Sequence, residues 1–503
     1  MQVGKYQPIM VVGTGSHVGK SVLVAGLCRV FRRRGIDVAP FKAQNMALNS
    51  GITPEGGEIG RAQINQADAA GLEPHVDMNP ILLKPTSDLG SQVIVSGRVF
   101  GNYKGVDYYR LKPRLLPKVM AAFRRLSAVH ELVVMEGAGS CAELNLKRHD
   151  IVNMAMARRA GARVVLVADI DAGGVFGQVL GSLSLLTPGE RRLVAGVVVN
   201  KFRGDPDLFQ EGIAILEKRG RKPVLGLLPW FSLGLPQEDG VALERGAAAA
   251  RGGRVRVGVA RLSRISNFTD VDCLAAEPQV DLRWVRGPEE LAGLDILVLP
   301  GTKNTLAALR GLHDSGLFAA IQAFHSLGGR LLGLCGGYQL LGRVIADPLG
   351  VEGAPASQDG LGLLSVDTVM AGEKTTTRVT AHALSCLPFM AAGEVRGYEI
   401  HMGRTTPSQG TASRPAFHLL ARLGEPVDLE DGQVSPDGRV VGTYLHGLLD
   451  NDNLRAGLLA WAVGGLAAPG LADYRAHKDR QYDLLADLLE EHLDLSPLLR
   501  PLA

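Results

Sequence analysis

A glycine-rich loop near the start of the chain limits its fold more than any other feature. A short apolar strand at 8–12 precedes the loop at 13–21, Gly-Thr-Gly-Ser-His-Val-Gly-Lys-Ser, and a helical pattern follows at 22–33. Strand, loop and helix in this order are typical of a phosphate-binding loop, whose backbone N–H groups surround phosphate oxygens. The strict motif has glycine where this chain has Thr14, so the loop is a variant. The residues expected to bind the nucleotide here are Gly13, Thr14, Gly15, Val18, Gly19, Lys20 and Ser21.

Further apolar runs indicate the sheet to which this loop belongs. Continuous apolar stretches such as 164–168 and 194–199 are typical of parallel strands buried on both faces. Polar side chains follow several of these runs, and the carboxyl ends of parallel strands share one edge of a sheet. Asn200 is therefore a candidate for reading the nucleotide base. Glu136 ends another strand and is expected to bind Mg²⁺ with the Ser21 hydroxyl.

The polar stretch between residues 42 and 88 is expected to hold a second substrate, since amide and charged side chains are dense there. Solvated loops are the alternative explanation. Glu58 is a further, more speculative metal ligand. A basic set between residues 98 and 114 would either meet a substrate rich in carboxylates or form a solvated face. The residues expected to bind substrate are Lys42, Gln44, Asn45, Lys84 and Asp88.

The size and composition of the chain suit a multidomain cytoplasmic enzyme. A chain of 503 residues exceeds one ordinary hydrophobic core. The net charge of +3 and the lack of a long basic run argue against a nucleic-acid partner. Five scattered cysteines without a CxxC pair argue against disulfides and zinc. No apolar stretch approaches membrane-spanning length, so no membrane partner is expected, and a homodimer is considered.

A second functional feature lies in the C-terminal half. The apolar strand 331–334 stops at Cys335, and two glycines and a helical pattern follow. A cysteine on a sharp strand-to-helix turn exposes its sulfur and suits a thiolate nucleophile, although a lone cysteine is more often a small buried residue. His446 ends another apolar strand and would activate the thiol. The N–H groups of Gly301 and Gly336 are expected to stabilise an oxyanion.

These motifs resemble known families. Residues 255–450, through 333–339 (Gly-Leu-Cys-Gly-Gly-Tyr-Gln), resemble a class I glutamine amidotransferase domain. The N-terminal half is similar to the dethiobiotin-synthetase-like P-loop group, and the two together resemble the cobyrinic and cobyric acid amidating enzymes of cobalamin synthesis. The stretches 42–49, 79–85, 91–97 and 398–403 favour the cobyric acid branch.

The resemblance implies an architecture and a reaction. It implies an α/β protein with two doubly wound parallel-sheet domains, at 1–240 and 255–450. Residues 241–254 are low in complexity and poor in large apolar side chains, which indicates a linker, and an amphipathic pattern near the end indicates a helical tail at 451–503. Glutamine would be hydrolysed at Cys335, and ATP with Mg²⁺ would phosphorylate carboxylates of adenosylcobyrinic acid a,c-diamide. Ammonia would then displace phosphate at positions b, d, e and g, giving adenosylcobyric acid.

One position departs from the usual amidotransferase pattern. Many class I enzymes have glutamate two residues after the histidine, where this chain has Leu448. The resemblance therefore implies a Cys335–His446 dyad without a carboxylate. Thiol activation is then expected to be slow, and a Leu448→Glu variant to raise glutaminase activity.

Three alternatives remain at this point. A cobyrinic acid a,c-diamide synthase has the same two domains and amidates a different pair of carboxylates. A P-loop switch ATPase of the partitioning type would bind partners and amidate nothing. A protein with an active P-loop domain and a catalytically dead amidotransferase domain is the third, and the intact Cys335 and His446 argue against it.

Overall fold

The computed structural model describes residues 4–86, 90–235, 253–389, 393–411, 414–465 and 470–502. The chain forms two compact units. The first comprises Met1–Ala47, Glu58–Leu235 and Lys478–Ala503, and the second comprises Leu48–Gly57 and Pro236–His477. Among the described residues, no helix is both long and apolar enough to cross a membrane.

This division differs from the linear one expected from the sequence. Residues 48–57, from the N-terminal half, belong to the second unit, and the expected C-terminal tail is divided so that residues 478–503 belong to the first. Residues 241–252 of the expected linker, and the candidate substrate ligand Asp88, lie outside the described residues. Each unit is therefore built from segments that are distant in the sequence.

The central sheet of the first unit has six strands that are all paired in parallel. Their order across the sheet is β12-β11-β10-β1-β9-β2. The strands are β1 (Ile9–Gly13), β2 (Val38–Phe41), β9 (Leu132–Ser140), β10 (Arg163–Asp169), β11 (Val194–Phe202) and β12 (Val224–Pro229). Met10 and Val12 pack in one apolar core, whereas Ile9 and Val11 pack in another. Because successive side chains of a strand point to opposite faces, the sheet is covered on both sides.

Helices surround this sheet, and a smaller sheet accompanies it. The helices of the first unit include Lys20–Arg33, Arg61–Ala70, Gly105–Val129, Met154–Ala160, Val175–Leu185, Pro188–Leu193 and Gln210–Gly220. The helix Tyr474–His492 begins in the second unit and lies in the first from Lys478 onward. The smaller sheet, in the order β3-β6-β7-β8, contains β3 (Asn45–Met46), β6 (Ile81–Pro85), β7 (Gly90–Val95) and β8 (Arg98–Lys104). Strand β5 (Glu58–Gly60) precedes the second helix.

The second unit also contains a six-stranded sheet, in the order β14-β13-β15-β16-β24-β23. Its strands are β13 (Val255–Ala260), β14 (Val280–Val285), β15 (Ile296–Leu299), β16 (Arg330–Leu334), β23 (Gln433–Val434) and β24 (Val440–Thr443). All pairs are parallel except β23 with β24. The helices of this unit include Asp272–Ala276, Thr305–Asp314, Leu317–Ser326, Gly336–Leu341 and Asp452–Val463. The expected α/β fold with parallel sheets is confirmed in both units.

A mixed sheet, which the sequence patterns did not indicate, completes the second unit. Its order is β18-β17-β19-β20-β25, with β21 paired to β19 and β22 to β21. The strands are β17 (Val344–Asp347), β18 (Ala356–Asp359), β19 (Val366–Ala383), β20 (Glu394–Pro407), β21 (Phe417–Arg422), β22 (Glu425–Asp431) and β25 (Leu445–His446). Strand β4 (Ser50–Ile52) lies in the 48–57 segment. The apolar run that was expected to be one strand ending at His446 passes from the parallel sheet (β24) to the mixed sheet (β25).

Candidate functional site

Cys335 lies on a strained turn between β16 and the helix Gly336–Leu341. Its backbone has φ 52° and ψ −107°, a conformation that side-chain-bearing residues rarely adopt. A Cβ atom on Gly337 would lie 1.9 Å from the carbonyl oxygen of Leu299, so only glycine fits there. The backbone N–H of Cys335 donates to the carbonyl oxygen of Thr443 at 2.8 Å. This geometry is that of a nucleophile turn, where strain presents the side chain at the carboxyl end of the sheet.

His446 is held by a carboxylate that the sequence analysis missed. The Nδ1 atom of His446 lies 2.6 Å from Oδ2 of Asp270, and the other carboxylate oxygen accepts from the N–H of Gly447 at 2.9 Å. Both side chains are buried, and the ring of Tyr398 stacks on the imidazole with 5.3 Å between centroids. The expectation of a dyad without a carboxylate was therefore wrong. Asp270 supplies the carboxylate from elsewhere in the chain, as the third member of a triad does.

The charge around His446 favours the imidazolium. Burial alone lowers the pKa of this histidine, but the negative charges of Asp270 and Cys335 and hydrogen bonds with both side chains outweigh it. The result is a pKa raised to about 10. Cys335 and His446 thus act on each other directly, and the imidazole of His446 is protonated at neutral pH.

The two glycines expected at an oxyanion site lie next to these side chains. A Cβ atom on Gly301 would be 3.3 Å from Cε1 of His446, and one on Gly336 would be 2.9 Å from the backbone nitrogen of Thr302. The Sγ atom of Cys335 lies 3.5 Å from the carbonyl oxygen of Ile400. The structure therefore brings both glycines to the thiol–imidazole pair, and their oxyanion role stays a prediction.

A weak signal for Asp270 was present in the sequence. Asp270 belongs to a 3₁₀-helix, Phe268–Val271, which we call the Asp270 turn. This turn comes shortly after β13, a parallel strand of the sheet that also carries Cys335. A carboxylate at this place could have been considered as a partner of His446. The usual pattern, with glutamate two residues after the histidine, points only to Leu448 and gives no indication of Asp270.

In the first unit, side chains of the variant phosphate loop form hydrogen bonds within the loop and with neighbouring elements. The Nζ atom of Lys20 donates to the carbonyl oxygens of Gly15 and Gly139, at 2.9 and 3.0 Å. The Thr14 hydroxyl donates to the side chain of Gln178 at 3.1 Å. Because Thr14 makes this contact with the helix Val175–Leu185, its side chain is accommodated where the strict motif has glycine. The residues expected to bind nucleotide thus run from the end of β1 at Gly13, through the loop, to the start of the helix at Lys20 and Ser21.

Asn200, in strand β11, forms a hydrogen bond with the backbone of this loop. Its Nδ2 group donates to the carbonyl oxygen of Val18 at 2.8 Å, and its Oδ1 accepts from the N–H of Lys201 at the same distance. Gly19 has φ 99°, and a Cβ atom there would meet the Asn200 amide at 2.1 Å. Asn200 therefore lies at the loop as expected, in contact with its backbone, and its reading of a base stays a prediction.

Ser21 and Glu136 lie together beside the loop. The Ser21 hydroxyl donates to Oε1 of Glu136 at 2.9 Å, and the ammonium of Lys42 donates to the same oxygen at 2.7 Å. The Nε2 group of Gln66 donates to the other carboxylate oxygen at 2.6 Å. Among the described residues, no cluster of three or more histidine, cysteine or carboxylate side chains could hold a metal. One hydroxyl and one carboxylate nevertheless fit Mg²⁺, which takes few protein ligands when phosphates complete its shell.

The remaining candidate metal and substrate ligands in the first unit form hydrogen bonds or ion pairs with other side chains. Glu58 forms a buried ion pair with Lys84, with 2.7 Å between Oε1 and Nζ, so both have a structural partner. Asn45 donates to Oε1 of Gln63 at 2.9 Å, and Gln44 accepts from the Tyr108 hydroxyl at 2.6 Å. A metal role for Glu58 therefore lacks the support that the Ser21–Glu136 pair has. Gln63 and Gln66 belong to the polar stretch that was expected to hold substrate, but they were not among the predicted site residues. Both contact Glu136 from the helix Arg61–Ala70.

Comparison with known proteins agrees with this pair of sites. Residues 9–234 match the family of CobQ/CobB/MinD/ParA nucleotide-binding domains, and residues 256–454 match the CobB/CobQ-like glutamine amidotransferase domain. Among solved structures, a glutamine amidotransferase covers 41% of this chain and 98% of its own, at 20% identity and a TM-score of 0.31.

Similarity to curated relatives extends over nearly the whole chain. A cobyric acid synthase from Syntrophobacter fumaroxidans is 50% identical over 99% of both chains. One from Paracoccus denitrificans is 50% identical over 97% of this chain and 98% of its own, and one from Salmonella arizonae is 48% identical over 98% and 97%. The chain belongs to the cobyric acid synthase family, as an ATP-dependent ligase with a glutamine amidotransferase domain.

Proposed function

We propose that this enzyme amidates the b, d, e and g carboxylates of adenosylcobyrinic acid a,c-diamide, giving adenosylcobyric acid in cobalamin biosynthesis. The observation that carries the proposal is the similarity to cobyric acid synthases along nearly the whole chain. The two sites supply the two chemistries that such a reaction needs, which are ammonia release and carboxylate activation.

Ammonia release is assigned to the second unit. The Cys335 thiolate attacks the side-chain carbonyl carbon of glutamine, and the oxygen takes up negative charge that the N–H groups of Gly301 and Gly336 stabilise. His446 gives its proton to the departing nitrogen, so that ammonia leaves and a thioester remains. Water, deprotonated by His446, then hydrolyses the thioester to glutamate and restores the thiolate–imidazolium pair. Asp270 fixes the ring so that the nitrogen opposite Nδ1 faces the reaction.

Carboxylate activation is assigned to the first unit. Hydroxide is a poor leaving group, so a carboxylate oxygen of the corrinoid attacks the γ-phosphorus of ATP, and ADP leaves. Ammonia then attacks the acyl carbon and phosphate departs, which forms the amide. The phosphate loop orients ATP, and the charge of Lys20 stabilises the transferring phosphoryl group. Ser21 and Glu136 would hold Mg²⁺, which neutralises phosphate charge when bound.

Substrate carboxylates are proposed to bind near Lys42, Gln44, Asn45 and Lys84. Lys42 supports this best, because its ammonium lies 2.7 Å from Glu136 and therefore next to the activation chemistry. Lys84 has its partner in Glu58, so it would contribute as part of a neutral pair. A homodimer also stays a prediction, which the solution mass of the purified enzyme would check.

Mass spectrometry of the corrinoid product tests the proposal. Adenosylcobyrinic acid a,c-diamide is incubated with the enzyme, Mg-ATP and glutamine, and we expect four amidations. Cys335→Ala should lose the reaction with glutamine and retain it with ammonium. No mass change with the intact enzyme would overturn the substrate assignment. Two amidations of cobyrinic acid instead would identify a cobyrinic acid a,c-diamide synthase.

A further inference from the structure

A ten-residue segment from the N-terminal half is built into the amidotransferase unit. Residues 48–57, the 48–57 segment, belong to the second unit, while the chain before and after them belongs to the first. A turn closes the segment, since the Thr53 hydroxyl donates to the carbonyl oxygen of Gly57 at 3.1 Å and accepts from its N–H at 3.0 Å. Asn49 and Ser50 are buried although they are polar. Buried polar groups are costly unless they are paired, so their contacts are informative.

Two reciprocal hydrogen bonds join this segment to the Asp270 turn. The side-chain oxygen of Asn49 accepts from the N–H of Phe268 at 3.1 Å, and that of Asn267 accepts from the N–H of Ser50 at 3.0 Å. Asn267 caps the turn in the left-handed region at φ 53°, and its carbonyl oxygen accepts from the N–H of Asp270 at 3.1 Å. The start of the turn that carries Asp270 is thus held by side-chain to backbone bonds in both directions.

A second contact joins the segment to the ring that stacks on the imidazole. Ile52 packs in a small apolar cluster with Tyr398 and Ile400, and its carbonyl oxygen accepts from Nε of Arg378 at 3.0 Å. Tyr398 stacks on His446, and the carbonyl oxygen of Ile400 faces the sulfur of Cys335. The segment therefore contacts both the Asp270 turn and Tyr398, the ring that stacks on His446.

We propose that Asn49 is a positioning residue for glutamine hydrolysis, which holds the Asp270 turn so that Asp270 orients His446. Residues 47 and 58, at the two ends of the segment, continue directly into the unit that binds ATP. Glutamine hydrolysis in the second unit accordingly depends on a segment that comes from the N-terminal half of the chain. The proposal rests on the proposed roles of Cys335 and His446.

Full-length variants test this dependence. Asn49→Ala removes the oxygen that accepts from Phe268, and we expect kcat for glutamine hydrolysis to fall about 10-fold or more, since small misplacement of a catalytic group is costly. Asn49→Asp keeps an acceptor oxygen in the same place, so it should recover part of that loss even though its carboxylate is buried. Asn267→Gly tolerates the left-handed backbone but removes the second bond, so it should resemble Asn49→Ala. Pro54→Ala, at the exposed tip of the segment, is the matched control and should hydrolyse glutamine normally.

A double-mutant cycle separates positioning from general damage. If Asn49 acts through Asp270, Asn49→Ala should cost little further activity in an Asp270→Asn background. In Asn49→Ala alone, the rate of amidation with ammonium and the melting temperature should stay close to those of the parent enzyme. Full glutaminase activity in Asn49→Ala, or equal losses in both backgrounds, would overturn the inference. Failure of Cys335→Ala to abolish hydrolysis would instead overturn the proposed function on which it rests.

Discussion

At the residue scale, the orientation of His446 depends on a side chain 176 positions away in the sequence. Cys335 and His446 could be recognised from their own strands because each is followed by glycine at the end of an apolar run. Asp270 has no such local marker, since a carboxylate after a strand is common. Its role follows only from the 2.6 Å distance to His446.

Replacing Asp270 should change the pH dependence of glutamine hydrolysis. Burial lowers the pKa of His446, and Asp270 and Cys335 together raise it to about 10. Asp270→Asn removes one of the two raising charges, so the pKa falls and the imidazolium loses its proton at a lower pH. The alkaline limb of kcat should therefore move to lower pH, and kcat at neutral pH should fall by about 100-fold or more.

Steady-state hydrolysis of glutamine between pH 6 and 11 would measure this shift. The other groups facing the imidazole, Cys335 and the ring of Tyr398, are left unchanged. Asp272→Asn removes a carboxylate from the same stretch of chain and is the control. An alkaline limb at the same pH in Asp270→Asn would contradict the assignment.

The structure reverses the expected effect of Leu448→Glu, which the sequence predicted would raise glutaminase activity. Its side chain is 1% exposed and packs in the main apolar core of the second unit, with Leu445 and Leu449. Leu448→Glu would bury a carboxylate there, while Asp270 already occupies the place beside Nδ1. We expect a lower melting temperature and no gain in glutaminase activity, because an unpaired buried charge is strongly unfavourable. A faster and equally stable variant would show that Asp270 leaves the imidazole under-stabilised.

At the element scale, the helix Tyr474–His492, which we call the C-terminal helix, belongs from Lys478 onward to the first unit, which carries the phosphate loop. Tyr482, Leu485 and Leu489 of this helix lie in the apolar core that also contains residues of the helix Lys20–Arg33. A Cβ atom on Gly26 would approach Leu489 to 2.4 Å, so the two helices pack closely at that glycine. Ion pairs flank this contact and join Arg29 to Asp483, Arg33 to Asp487 and Arg34 to Glu490.

Apolar packing should stabilise this helix pair more than the exposed ion pairs do. Leu489→Ala is expected to cost about 2–5 kcal/mol of unfolding free energy, because it leaves a cavity in a closed core. Arg34→Ala removes a partly exposed pair and should cost at most about 1 kcal/mol. Urea unfolding of each variant, monitored through the loss of ATP binding, would measure the stability of the first unit. Equal losses for the two variants would show that charge, not packing, holds the helix.

At the scale of the whole molecule, the units exchange segments of chain. The second unit takes residues 48–57 from the N-terminal half, and the first takes residues 478–503 from the C-terminal end. A break in the linker therefore separates each unit from one of its own parts. The composition of 241–254 still marks where sequence similarity changes from one family to the other, since the two family matches end at 234 and begin at 256.

Splitting the chain between residues 235 and 253 should expose this exchange. The fragment 1–235 lacks the buried Tyr482, Leu485 and Leu489, so we expect a lower melting temperature or aggregation. Co-expression with 253–503 should restore a soluble complex that co-purifies. Thermal unfolding of the separate and combined fragments makes the comparison. A fragment 1–235 as stable as the intact protein would contradict the role of the C-terminal helix.

The sequence by itself determined the local parts of this protein. Phosphate loops and nucleophile turns require glycine within a few residues of a lysine or a cysteine, and parallel strands require continuous apolar runs. These requirements are local, so the loop at 13–21, the Cys335 turn and the α/β class were predictable. The resemblance of several such motifs to one family then predicted the family, which the curated relatives confirm.

Only the tertiary structure decided what joins these parts. The Asp270–His446 bond, the packing of the 48–57 segment against the Asp270 turn and the docking of the C-terminal helix each link residues more than 170 positions apart. Such contacts leave no periodic or spaced pattern in the sequence, because burial and hydrogen bonding depend on distance in space. The buried carboxylate beside His446 could therefore be identified only in the folded structure, whereas the Cys335 thiol and the His446 imidazole could be predicted from the sequence.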